Sequence, residues 1–148
     1  MTPPVLRVQR RIAAPPEAVF DAWTHPDVLR DWWSASPELR PGSIEVDLRV
    51  GGRYRLTMVD ADGVEHVAFG EYVTVSRPER LAFTWSWEES HADAVDGNGT
   101  LVEVEFTPDG DGTLVTLTHT GFRSEESRTS HERGWTGCLD SLERRMQQ

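Results

Sequence analysis

The stretch "SEESRTSHERGWTGCLDSLERRM", residues 124–146, puts His131, Trp135, Cys138, Leu139, Leu142 and Met146 on one helical stripe. Its ends carry matching signals. Ser124 suits an N-cap, Glu125 and Glu126 occupy the first turn, and Arg144 and Arg145 the last, so the charges oppose the helix dipole at both ends. The spacing predicts a C-terminal helix of about twenty residues beginning near Ser124.

The chain before this helix has a different period. From residue 44 apolar side chains recur every second position, in "RYRLTMV", "EHVAFGEYVTV", "RLAFTWSW", "TLVEVEF" and "TLVTLTHT", all rich in β-branched and aromatic residues. Turn signals separate them: the glycine pair at 51 and 52, "DADG" at 60–63, "SRPE" at 76–79, "DGNG" at 96–99 and "PDGDG" at 108–112. A meander of antiparallel strands is expected, with one face wetted where Glu103 and Glu105 alternate with Val102, Val104 and Phe106. Farther back, "VLRVQRRI" at 5–12 reads as a strand bearing Leu6, Val8 and Ile12 on one face, and Pro15 and Pro16 stop it. Proline is tolerated in a first helical turn, so a helix carrying Val19, Phe20 and Trp23 follows, and Pro26 opens a second, shorter one. In that second helix Val28 precedes Trp32, and Leu29 precedes Trp33, by four residues, so the tryptophan doublet falls on two adjacent stripes.

Composition narrows the function classes. At 148 residues the chain fits one domain that buries roughly two thirds of its unfolded surface, and we find no internal repeat or linker. Its net charge of −10 repels phosphate backbones and anionic lipid headgroups, which argues against nucleic acid and against membrane insertion. Cys138 is the single cysteine, so no intrachain disulfide forms. No apolar run has the length of a signal peptide core or a membrane span, and a cytoplasmic protein is expected.

Five segments in order, "APPEAVFDAWTHPDVLRDWW", "VDLRVGGRYRLTM", "PERLAFTWSW", "TLVTLTHTGF" and "HERGWTGCLDSLERRM", resemble the domains related to the activator of heat-shock protein 90 ATPase. These domains sit in the START-like superfamily with the Bet v 1 allergens and polyketide cyclases. The resemblance spans residues 8 to 146 and implies an α+β helix-grip fold: a curved antiparallel sheet around a long C-terminal helix, with two short helices after the first strand. It implies a cavity between sheet and helix as well.

Residues suited to that lining are Tyr54, Leu56 and Met58 on one strand, Leu81, Phe83, Trp85 and Trp87 on another, and Trp135 with Gly134 and Gly137 on the helix. Helical glycines cost about 1 kcal/mol relative to alanine, so each marks either close packing or room for a ligand. Tyr54, Met58, Phe83, Trp85, His119 and Trp135 are expected to line one continuous space. For Trp32 and Trp33 two arrangements stay open: both cover core, or one packs inward while the other forms the pocket rim.

Polar candidates are few. His119 shares the parity of Val115 and Leu117 and would enter the cavity beside Trp135 or Phe122, either as a satisfied structural histidine or as an acid or base. His131 lies one turn before Trp135. Glu71 interrupts the series Val67, Phe69, Val73 and Val75, and parity turns it inward unless a bulge at Gly70 reverses it. The five histidines form no H-x-x-x-H pair and there is no C-x-x-C motif, so neither a metal nor another cofactor is called for; no G-x-S-x-G elbow marks a nucleophile. The acidic segment 88–97 reads as a solvated hairpin connection or, if mobile, a cover for the cavity. These features fit a binding protein for a lipid-like or aromatic molecule, with a polyketide cyclase-like enzyme and a co-chaperone-like interaction domain as alternatives. Ligand identity, catalysis and homodimerisation stay open.

Overall fold

A computed structural model of the chain describes residues 4–88 and 99–147. Among these, seven strands form one antiparallel sheet: β1 (Leu6–Ile12), β2 (Arg40–Val46), β3 (Arg53–Val59), β4 (Glu65–Ser76), β5 (Arg80–Trp87), β6 (Thr100–Asp109) and β7 (Gly112–Thr120). Their spatial order is β1-β7-β6-β5-β4-β3-β2. The sheet curls as a half-barrel around a 22-residue helix, α3 (Glu125–Met146), and two short helices, α1 (Pro16–Thr24) and α2 (Pro26–Trp32), follow β1. This is the helix-grip arrangement.

Local chemistry accounts for the elements. Ser124 is the N-cap of α3, its hydroxyl accepting from the Ser127 backbone N–H at 3.0 Å. Pro16 and Pro26 open α1 and α2 where a missing N–H costs nothing. β2 begins at Arg40, before the alternation becomes legible, because Pro41 and Gly42 carry no strand signal and the register slips between Pro41 and Ile44.

The core fills the space enclosed by the sheet. Phe20 meets Phe106 edge-on with centroids 5.5 Å apart, seating α1 against β6. Arg10, on the face of β1 that looks at α3, reaches Asp140 at 2.7 Å and Glu143 at 2.8 Å and ties the helix to the sheet edge. No helix among the described residues is long and apolar enough to cross a membrane. Of the acidic segment at 88–97, only Glu88 lies within the described residues, where it pairs with Arg55 at 2.6 and 2.9 Å.

One strand departs from the reading of its alternation. In β4 the register pairs Gly70 with Tyr54, Ala68 with Leu56 and His66 with Met58, and directly opposed residues share a face. Since Tyr54, Leu56 and Met58 point into the core, His66, Ala68 and Gly70 do too, followed by Tyr72. Phe69, Glu71 and Val73 are therefore outside, Phe69 being 39% and Val73 49% exposed. Glu71 is a surface acid 3.7 Å from Arg53, not a cavity carboxylate. Both parities of β4 carry apolar residues, so alternation by itself picked the wrong face. The register slip comes later, between Tyr72 and Thr74.

Candidate functional site

Between the inner sheet face and α3 lies a cavity of about 210 Å³. Met58, His66, Trp85 and Trp87 form its sheet wall. Trp33, Ala35 and Leu39, from the end of α2 and the connection to β2, close one side, and Ser130, His131, Gly134, Trp135 and Cys138 form the helix wall. The deep end is built from the buried residues Trp33, Met58, Trp85, Trp135 and Cys138. His66, Leu39, Ser130 and Gly134 are only half-buried and mark the mouth.

The two glycines of α3 play different parts. A Cβ on Gly137 would fall inside the Ala35 carbonyl, so this position lets the connection after α2 lie directly on the helix. A Cβ on Gly134 would meet nothing within 4 Å among the described residues, and this glycine leaves the cavity open. Beside Gly137, Ser141 donates to the Trp32 carbonyl at 2.7 Å and Arg145 reaches Asp31 at 3.1 Å, which holds the tryptophan doublet in place.

Both tryptophans of the doublet are buried. Trp32 belongs to the core proper, its indole donating to the Ala22 carbonyl at 2.9 Å and its ring meeting Trp23 at 5.3 Å. Trp33 is different. It lines the 210 Å³ cavity on one side and, on the other, a hollow of about 10 Å³ shared with Tyr54 and Phe83. That hollow is at the lower limit for one water, so Trp33 is a partition that divides the expected continuous space into one usable cavity and one packed region. Tyr54 is fixed in the packed region by donating to the Thr84 carbonyl at 2.5 Å, and burial pushes its phenol well above its ordinary range.

His119 and Phe122 stand behind the cavity rather than in it. The Trp135 indole N–H donates to His119 Nδ1 at 3.0 Å, which leaves the imidazole proton on Nε2, where it is shared with Thr100 Oγ1 at 2.7 Å. Thr100 in turn donates to the Trp85 carbonyl at 3.2 Å. His119 is fully buried, with Phe122 against it at 4.3 Å, and burial, reinforced by nearby His131, holds its pKa well below 6.5. It is a neutral residue that fixes the orientation of Trp135. His131 does the same for Trp87, accepting the indole N–H on Nε2 at 3.0 Å and directing Nδ1 to the Ser127 carbonyl at 2.8 Å.

Of the residues anticipated from the sequence, the cavity thus gathers Trp33, Met58, Trp85, Trp87, His131, Gly134 and Trp135. Trp32, Tyr54, Phe83, His119 and Phe122 support it from the core. His66, Leu39 and Cys138 went unanticipated. His66 was within reach of hairpin arithmetic, because a turn at Asp60–Gly63 that pairs Val59 with Glu65 puts His66 opposite Met58. The Cys138 thiol is raised by burial and is a lining atom, not a nucleophile. A larger groove of about 570 Å³ on the outer side of α3, past Arg128, Arg133 and Arg144, is walled mainly by half-exposed polar side chains and is a surface feature.

The model of the Activator of Hsp90 ATPase homolog 1-like protein family matches residues 13–147. An AHSA1-like protein from Aeromonas hydrophila is similar in structure, with 30% identity and a TM-score of 0.78 over 96% of this chain and 92% of the other. An AHSA1 protein from Silicibacter pomeroyi has 26% identity and a TM-score of 0.80, covering 95% and 96%. A protein from Chromobacterium violaceum, at 23% identity, shares the fold with a TM-score of 0.85 over 97% of each chain. No curated protein matches.

Proposed function

The chain belongs to the Activator of Hsp90 ATPase homolog 1-like family, and from that premise we propose that it binds a small aromatic or apolar molecule of one or two rings between its sheet and its C-terminal helix. The observation that carries this reading is the 210 Å³ cavity with Trp33, Trp85 and Trp135 at its deep end. A cavity of about 150 Å³ suffices for benzene, whereas sites for drug-sized ligands occupy about 300 to 1,000 Å³. The volume therefore favours a compact ring system over a long acyl chain or a four-ring polyketide. The pair on which a cyclase reading would rest does not converge, since His119 has both nitrogens engaged in the core and Glu71 is on the outer face.

Nitroaromatic molecules quench indole fluorescence and so test this directly. Titration with nitrobenzene and 1-nitronaphthalene should give saturable quenching, while Gly134→Leu, which places a side chain where nothing now stands, should leave only the linear collisional component. Linear quenching in both proteins would defeat the proposal.

A further inference from the structure

We propose that His66, braced by Asp60, is the polar anchor of this cavity, and that the molecule bound there carries a phenolic or enolic hydroxyl donated to His66 Nδ1. This rests on the binding reading above and specifies its ligand. His66 stands on the inner face of β4 directly opposite Met58, and both line the cavity. Its Nε2 lies 3.0 Å from Asp60 Oδ2. The other oxygen of Asp60 accepts from the backbone N–H groups of Asp62 at 2.9 Å and Val64 at 3.0 Å, so the turn itself sets the carboxylate.

The consequence for the imidazole is specific. An ionised carboxylate only accepts hydrogen bonds, so the proton of neutral His66 resides on Nε2 and Nδ1 carries the lone pair. The carboxylate partner also fixes the orientation of the ring, the role such pairs play in presenting an imidazole as acceptor or ligand. Of the three imidazoles around the cavity, His119 and His131 have both nitrogens engaged, whereas His66 Nδ1 has no partner among the described residues. The indoles cannot substitute for it. Those of Trp87 and Trp135 donate to histidines, and the N–H groups of Trp33 and Trp85, without a partner among the described residues, are out of reach of solvent. A ring system seated against the tryptophans would thus meet, at the mouth, an acceptor oriented by a fixed carboxylate. An ether or hydrocarbon of the same shape would leave it unused.

Calorimetric titration near pH 8, above the ordinary histidine range, with 2-naphthol and 2-methoxynaphthalene separates the hydroxyl from the rings. The wild-type protein should bind 2-naphthol about tenfold more tightly, the worth of one hydrogen bond. In His66→Phe the preference should shrink to about twofold or less. On the wild-type protein, long-range proton–nitrogen NMR should show the His66 Nδ1 resonance moving with 2-naphthol and not with its methyl ether, a readout independent of any variant. Equal wild-type affinities, a preference that survives in His66→Phe, or an unmoved Nδ1 resonance would overturn the anchor while leaving the cavity reading intact. Absence of binding by either compound would overturn both.

Discussion

All six tryptophans join one network of ring contacts, running from Trp32 through Trp23 and Trp33 to Trp135, Trp85 and Trp87, yet their N–H groups are not equivalent. Trp135 donates to His119, whereas the buried N–H of Trp85 has no partner among the described residues. Trp135→Phe strips a buried acceptor of its donor and should cost about 1 to 3 kcal/mol more than Trp85→Phe, which removes a donor already unsatisfied. Urea midpoints measure the difference, and an equal or larger loss for Trp85→Phe would contradict the assignment. His119 makes a second prediction. Its folded pKa lies below the 6.5 of the unfolded chain, so as pH falls the unfolded state takes up the proton first and stability declines. The decline begins near pH 6.5 and approaches 1.4 kcal/mol per pH unit until the folded pKa is reached. Carboxylates held low by ion pairs, Asp21 with Arg77 and Glu88 with Arg55, start from 3.8 and 4.5 and add to the loss only in more acidic solution. Denaturation of the wild type and His119→Gln at pH 7 and 5.5 should show the wild type losing more between the two; parallel losses would refute a neutral buried imidazole.

At the scale of elements, α3 is the part whose sequence serves two ends. Its glycines are one turn apart, but Gly137 is required by contact with the Ala35 carbonyl and Gly134 by no contact among the described residues. Gly134→Ala should therefore raise stability by up to about 1 kcal/mol, the ordinary helix-interior gain. Gly137→Ala should lower it, since the connection after α2 must move away and loosen the Ser141 bond to Trp32. Thermal unfolding of the two variants should shift in opposite directions, and a common direction would show that the cavity wall is not open at Gly134. The strands divide in the same way. Val102, Val104 and Phe106 of β6 alternate with two glutamates and announce their buried face, while β4 has apolar residues on both faces and takes its orientation only from pairing with β3.

For the whole molecule, sheet order sets the hierarchy of local stability. β5 and β6 lie in the middle of the sheet with paired neighbours on both sides, whereas β2 is an edge strand interrupted between Pro41 and Ile44. Native-state hydrogen exchange should find the amides of Leu81, Phe83 and Val104 opening only with global unfolding and those of Ile44 and Val46 opening locally, at appreciably lower free energy. If β2 were protected as strongly as β6, the edge would be covered by something beyond this chain.

What the sequence determined by itself were the features written in short-range chemistry. The cap at Ser124, the stripe from His131 to Met146, the prolines that open α1 and α2 and the alternation in β6 each depend on neighbours within a turn or a hairpin, and so did the order of strands and helices that makes a grip. Only the tertiary structure decided which face of β4 is inner, that Trp33 divides the enclosed space, that His119 spends both nitrogens on Trp135 and Thr100, and that His66 faces the cavity in its place. The physical reason is that a side chain's parity and hydrogen-bond partners are set by residues far away along the chain. A cavity, moreover, is the volume that packing leaves unfilled, and no residue's own identity encodes that remainder.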